Sequence, residues 1–398
     1  MKVLLSCPVN SQTGYGTDGI ELAQALMAWG ADVYLHPSGV HPPLPADVAA
    51  LITKPIPEHV DLLISHRCPQ ELARSPESAG LYSVSTVSVA WSMWEWDSLD
   101  NVDEVNQANC EHAFRVTDHL GKALTHFDAV FAYDEVSKSA LSPYHDKVSV
   151  LQGGVTTLPP HQRDWNASPF RFLMLGALSS RKNPWVSINS FKKLRDAGEL
   201  QDAQLVLKTT YPGLHPAMES WCSGLKIIGE MWSVEAVHAL YRESHVLLAP
   251  SWGEGKNRPA IEFASTGGAV VATNVGGHAQ WMSDQYAYPL RFEMKETFSG
   301  LKARAAIADE DHLAEIMLGI YNNRSEAARR GEVAARTLPN MVSWTRVLER
   351  FCDRLETVAG SRGVEVATRM RMCRKPEKPE SAQFQDMLRR GALDGLSS

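Results

Sequence analysis

The strongest constraint on what this chain can fold into lies in its first 36 residues. Lys2 to Val9 is a short apolar run, SQTGYGTDG follows, and IELAQALMAWG sets Ile20, Leu22, Ala23, Leu26 and Met27 at helical spacing. Gly30 closes that helix as a left-handed cap does, and residues 32–36 (DVYLH) read as a second strand. Strand, glycine turn, helix and strand make a βαβ unit, and such a unit requires a parallel sheet with helices on its faces.

The pattern continues. Apolar runs at 61–65 (DLLIS), 83–91 (SVSTVSVAW), 129–133 (AVFAY) and 148–151 (VSVL) bring the strands before residue 155 to about six. Residues 156–169 (TTLPPHQRDWNASP) break all periodicity and read as a linker. A second series opens with FRFLML at 170–175 and runs through strands at 204–208, 225–228, 245–249 and 269–272. Helices at 185–197, 234–243 and 259–265 alternate with them, so the second half is another doubly wound α/β unit. Helices at 310–322 and 325–337 follow. Residues 343–358 then place Trp344, Val347, Leu348, Phe351 and Leu355 on one face. From Gly360 the chain turns basic and poor in apolar residues, which reads as a mobile tail with a short final helix at 382–390. The expected division is 1–155, a linker 156–169, 170–342, a helix at 343–359 and a basic tail 360–398.

Composition removes whole classes of function. A chain of 398 residues with 44% hydrophobic content is no disordered tail, fibre or peptide hormone. Lys and Arg number 39 against 46 Asp and Glu, so the formal net charge of -7 offers no chain-wide positive field to a polyanion. The six cysteines are scattered without a CxxC pair, which reads as reduced thiols. The opening has only Val3 to Leu5 as a continuous apolar run, and no stretch approaches the roughly 18 apolar residues of a membrane span. These features read as a cytoplasmic protein with a buried first strand.

Two segments carry candidate chemistry. Gly14, Gly16 and Gly19 satisfy GxGxxG between a strand and a helix, so backbone amides at the helix start can face a phosphate. A dinucleotide site also wants an acid at the end of the second strand, where His36 and Pro37 stand instead. A plain turn and a phosphate- or sugar-facing loop stay open. The second segment is LAPSWGEGKNRPAIEFASTGGAVVATNVGG at 248–277. Glu254 at a loop tip can accept hydrogen bonds from sugar hydroxyls, while Glu262 on the helix behind can grip a diol such as a ribose.

This segment resembles the signature of GT-B glycosyltransferases of the family-four type (glycosyl transferases group 1), carried here by Pro250, Ser251, Glu254, Gly255, Glu262, Gly267, Gly268, Gly276 and Gly277. The stretch FLMLGALSSRKNPWVSINSFKKL is similar to the family's strand, glycine loop, lysine and helix. The resemblance implies that Lys182, with Arg181, holds a donor diphosphate beside Gly176. Ala177 stands where relatives often carry Arg. It implies Ile228 and Glu230 near the nucleotide base, and Gly14, Tyr15 and Gly16 facing the donor's sugar and phosphates. Gly255, Lys256, Asn257 and Arg258 complete the donor loop, the last three departing from the aromatic and small residues common in relatives.

Trp94 and Glu95, in SMWEWDSLD, resemble the strand-end region facing the cleft, with a buried aromatic cluster as the alternative; His66 stands at another strand end, as a structural or a catalytic histidine. Asp309-Glu310-Asp311 formally matches a metal motif of a different fold, but its place before LAEIMLGI reads as a helix start.

The implied protein has two Rossmann-like, doubly wound domains facing a central cleft, the donor on the second and the acceptor on the first. It is a retaining enzyme in which Glu254 orients the sugar, Arg181 and Lys182 stabilise the leaving diphosphate and Glu262 anchors the nucleotide. It takes a nucleoside-diphosphate sugar as substrate and needs no metal or other cofactor. The acceptor is left open among glycans, lipids and other hydroxyl compounds. A modified DNA base is an alternative, with nucleic acid held by the basic segment 362–378, which could equally touch an anionic membrane surface. A nucleotide-sugar epimerase or hydrolase, or a non-catalytic binding relative, are readings of other classes.

Overall fold

The computed structural model describes residues 1–11, 13–74, 81, 83–99, 116–210, 216–296 and 303–375. In a first parallel sheet, β1 (Lys2–Asn10), β2 (Asp32–His41), β3 (Val60–His66), β4 (Ser85–Ser92), β5 (Ala129–Ala132) and β6 (Val148–Val150) take the order β2-β1-β3-β4-β5-β6. Alternation along β1 sends Val3, Leu5, Cys7 and Val9 to one face of this sheet and Leu4 to the other. Helix α1 (Gly14–Trp29) leaves β1 through Thr13, whose side chain accepts from the Gly16 amide at 3.1 Å. The turn is tight: a Cβ on Gly16 would stand 2.3 Å from the Asn10 carbonyl oxygen.

The second parallel sheet contains β7 (Phe170–Gly176), β8 (Ala203–Thr209), β9 (Leu225–Ile228), β10 (Val246–Ala249), β11 (Ala269–Thr273) and β12 (Tyr288–Leu290), ordered β12-β11-β10-β7-β8-β9. Strand β12 and an antiparallel hairpin of β13 (Phe292–Glu296) and β14 (Arg304–Ala308) were not foreseen from the sequence. Strand order reverses at the first strand of each sheet, β1 lying between β2 and β3 and β7 between β10 and β8. In open α/β sheets ligands sit outside the carboxyl ends of the strands at such a reversal. The fold therefore offers two crevices.

Residues 156–169 form neither helix nor strand, yet they are pinned to the second sheet's unit. Arg163, 9% exposed, donates to the Ser244 and Tyr241 carbonyls and to Thr266 Oγ1, and its guanidinium lies over the Phe263 ring. At the other end of that unit, the helix Trp344–Val358 returns to the first sheet and buries Trp344, Val347, Leu348, Phe351 and Leu355 in one cluster with β1.

The expected tail is corrected over its described part. Residues Gly360–Met372 are a helix with Gly363, Val366, Ala367 and Met370 buried against the first sheet's core. That i, i+3, i+4, i+7 spacing is a helical stripe, hidden by the small residues and arginines around it. The arginines are committed too: Arg362 pairs with Asp128, Arg369 with Asp61, Arg371 with Asp353 and Glu356, and Arg374 with Glu349. The helix expected at 382–390 lies outside the described residues, as does Cys110. No helix among the described residues is long and apolar enough to cross a membrane.

Candidate active site

The crevice of the second sheet is built by the loops that follow β7 and β10. The first turns at Gly176, held at φ +130, and carries Arg181 and Lys182 in a short turn before the helix Pro184–Asp196. The second runs from Pro250 to the helix Arg258–Ser265. Backbone bonds tie them together, because the Trp252 amide donates to the Arg181 carbonyl at 2.8 Å and the Ala306 amide of β14 donates to the Trp252 carbonyl at 2.8 Å. The unforeseen hairpin thus braces the loop.

Glu254, 5% exposed, is the centre of the site. Lys182 Nζ donates to its Oε1 at 2.5 Å, Arg181 pairs with Oε2 at 3.0 Å, and Ser251 Oγ donates to Oε1 at 2.7 Å. Burial pushes its carboxyl upward, but Lys182 first and Arg181 next overcome that and hold it well below the usual carboxylate range. The sequence thus brings Glu254, Arg181, Lys182 and Gly176 to one place.

The first sheet's unit closes directly on this loop. A Cβ on Gly253 would lie 2.1 Å from the Glu95 carbonyl oxygen, and one on Gly255 would lie 2.0 Å from Met93 Cγ. Glu95 Oε1 approaches Arg181 at 3.5 Å. Trp94 does not face the cleft. It is buried in the core with Leu63 and Phe127, donating its ring N–H to the Ser98 carbonyl.

His66 is wholly buried, its Nε2 lies 2.5 Å from the Tyr133 hydroxyl, and the Tyr15 ring stacks on it at 4.6 Å. Burial pushes its pKa down to about 4, which leaves the ring neutral at pH 7. Gly14 and Gly16 open α1 beside Tyr15. Ile228 and Glu230 lie at the end of edge strand β9, two strands from β7. There the Glu230 carbonyl accepts from Lys208, a 5% exposed lysine of β8 that the sequence reading missed.

The family model described as "Glycosyl transferases group 1" matches residues 169–323. Those residues are a group 1 glycosyltransferase domain. No curated protein matches the chain. Among solved structures the chain is similar to sucrose-phosphate synthase from Thermosynechococcus elongatus, at 14% identity and TM-score 0.62, covering 89% of this chain and 98% of that one. It is also similar to a glycosyltransferase from Rickettsia africae, at 16% identity and TM-score 0.57, covering 89% and 98%. Anabaena HepE, solved with UDP and glucose, matches at 14% identity and TM-score 0.57, covering 90% and 100%. The two facing sheets are the GT-B fold.

In the glycosyltransferase domain two residues of the Lys256-Asn257-Arg258 departure, Lys256 and Arg258, are turned toward the other domain. Lys256 Nζ lies 2.6 Å from Asp18 Oδ2 and donates to the Gly154 carbonyl at 2.7 Å. Arg258 pairs with Asp18 at 3.0 Å, with Glu21 at 2.7 Å and with Glu262 at 3.0 Å. Asn257, at φ +61, contacts His278 Nε2 at 2.9 Å. Glu262 also accepts from the Tyr241 hydroxyl at 3.2 Å. Asp18 and Glu21 escaped the sequence reading, although two acids three apart on an otherwise uncharged helix were a signal for cations brought from elsewhere.

At the end of the glycosyltransferase domain, Asp309 caps the helix Glu310–Asn322 by accepting from the His312 amide at 2.9 Å, so the DxD match is a helix start. Among the described residues no three His, Cys, Asp or Glu side chains gather as a metal ion would need.

Proposed function

We propose that the protein transfers a sugar from a nucleoside-diphosphate sugar to an acceptor hydroxyl, with retention at the anomeric carbon and without a metal ion. The observation that carries this reading is the pairing of Arg181 and Lys182 with Glu254 at the reversal of the second sheet, facing the first domain. The group 1 match over this unit supports it, as does the likeness to a protein solved with UDP and glucose.

The chemistry follows from charge. As the bond from the anomeric carbon to the diphosphate oxygen breaks, negative charge collects on the diphosphate. Two preorganised cations in a buried site stabilise it where it forms. A diphosphate brings its own counter-charge to Lys182 and Arg181, so the Glu254 carboxylate is released to accept from sugar hydroxyls. Glu262 takes the ribose in exchange for Arg258. The acceptor oxygen bonds to the anomeric carbon and its proton passes to the leaving diphosphate, so no protein nucleophile is used. Closure of the two domains keeps water from competing with the acceptor.

The test is product analysis by NMR with a panel of UDP-, GDP- and ADP-sugars, with magnesium and with a chelator. Transfer with an unchanged anomeric configuration in both conditions supports the reading. Epimerised donor, or free sugar formed equally with and without acceptor, assigns the epimerase or hydrolase class instead.

A further inference from the structure

The crevice of the first sheet holds a charge that the mechanism does not use. Arg67 directly follows β3 and is 5% exposed. Its Nε and NH2 donate to Ser6 Oγ at 3.2 and 2.9 Å, and NH2 reaches His36 Nδ1 at 3.4 Å. No carboxylate of the described residues lies within ion-pair distance of it. Glu71 and Arg67 both act on the Cys7 thiol, yet they make no ion pair with each other. A buried guanidinium held by a hydroxyl and an imidazole is a costly arrangement unless something negative completes it.

The surroundings point the same way. Ser6 is the register partner of His36 on β2 and of Ser65 on β3, where β1 is flanked by both at the reversal of strand order. Ser65 Oγ on β3, Ser38 Oγ on β2 and Ser92 Oγ on β4 are all buried without a hydrogen-bond partner. By the two-residue period these three project on the same side of the sheet as Ser6, the side of Leu4 and not of Val3. The guanidinium thus shares one face of the sheet with three unanswered hydroxyl groups at the carboxyl edge of the acceptor domain. His36 and Ser38 are only half-buried, so the cluster opens along β2.

We propose that Arg67, with Ser6, His36 and Ser65, is an anion subsite and that the acceptor carries a phosphate or carboxylate which docks there. The part concerning the acceptor rests on the transferase reading above. A planar guanidinium presents two parallel N–H groups to either anion, and the serine hydroxyls answer its remaining oxygens.

The experiment is a thermal-shift titration of the full chain with inorganic phosphate and, separately, with acetate, against sodium chloride of equal ionic strength. Wild type, Arg67→Met, Arg67→Lys, Ser65→Ala and Lys182→Ala are compared. Phosphate, acetate or both stabilise the wild type, Arg67→Met weakens the apparent affinity about tenfold, and Arg67→Lys and Ser65→Ala fall between. Lys182→Ala keeps the Arg67-dependent part. Should Arg67→Met not fold, the other two variants carry the comparison. The stronger anion then selects the acceptors to screen, sugar phosphates or uronates, each against its neutral parent.

Equal anion affinity in wild type and all three subsite variants overturns the proposal, as does a KM for neutral acceptors no higher than for charged ones. Failure of the donor reading has a different sign: nucleoside diphosphates would then fail to stabilise even the wild type.

Discussion

Lys256 and Asp18, from opposite domains, meet at 2.6 Å with their side chains 3% and 2% exposed. Arg258, two residues on, joins Asp18 and Glu21 of the same helix, so the loop after β10 is riveted to α1 by a charged cluster that water scarcely reaches. Removing one partner of such a pair strands the other in a low-dielectric interior. Asp18→Asn is expected to lower stability by about 3–5 kcal/mol, read from urea unfolding. Asp97→Asn, which breaks the more exposed pair with Arg304, should cost under about 1 kcal/mol.

The same cluster holds Glu262, the carboxylate we propose for the nucleotide. Arg258 is one helical turn from Glu262 and occupies it at 3.0 Å. Glu262→Gln is therefore expected to weaken nucleoside-diphosphate binding about tenfold by calorimetry while leaving the fold intact, a loss of roughly 1.4 kcal/mol for one charge-assisted hydrogen bond. Unchanged affinity would remove Glu262 from the donor site.

Lys182→Ala should act on turnover more than on binding. A cation that neutralises charge developing in the transition state is worth about 10²–10³-fold in kcat. Steady-state kinetics should show that loss with a much smaller change in donor KM. A change in KM alone would mean that Lys182 merely binds.

Acid should destabilise the fold through its buried histidines, opposed in the same window by Asp134, whose carboxyl burial pushes up to about 7. His66 and His278 are wholly buried, and burial pushes both down to about 4 from an ordinary 6.5. Between those values the unfolded chain binds protons that the folded chain refuses, so stability rises with pH across pH 4 to 6.5 and falls on acidification through that window. Each such ring contributes up to about 1.4 kcal/mol per pH unit. Urea midpoints at pH 7.5, 6 and 5 should decline steadily, with a shallower decline in His278→Gln.

The parallel sheets were legible because βαβ periodicity is local, and Glu254, Lys182 and Arg181 were legible because a motif fixes them within two short loops. What escaped lay across the chain. Nothing near Lys256 or Arg258 indicates that Asp18 and Glu21 wait more than 230 residues upstream. The Gly360–Met372 helix escaped for another reason: its buried stripe of Gly363, Val366, Ala367 and Met370 is mostly small, and the arginines between them dominated the composition. Truncation after Val358 should therefore expose the first sheet's core and lower the melting temperature by several degrees.

The first domain's core is assembled from segments more than 300 residues apart in the chain, since β1 and α1 pack with Trp344, Phe351, Val366 and Met370. During synthesis the amino-terminal strands emerge first yet lack one wall of their hydrophobic interior until the last described helices have left the ribosome. The glycosyltransferase domain between them has all its own strands available earlier. Vectorial folding would then run from the middle of the chain outward, with the nascent first sheet exposed meanwhile.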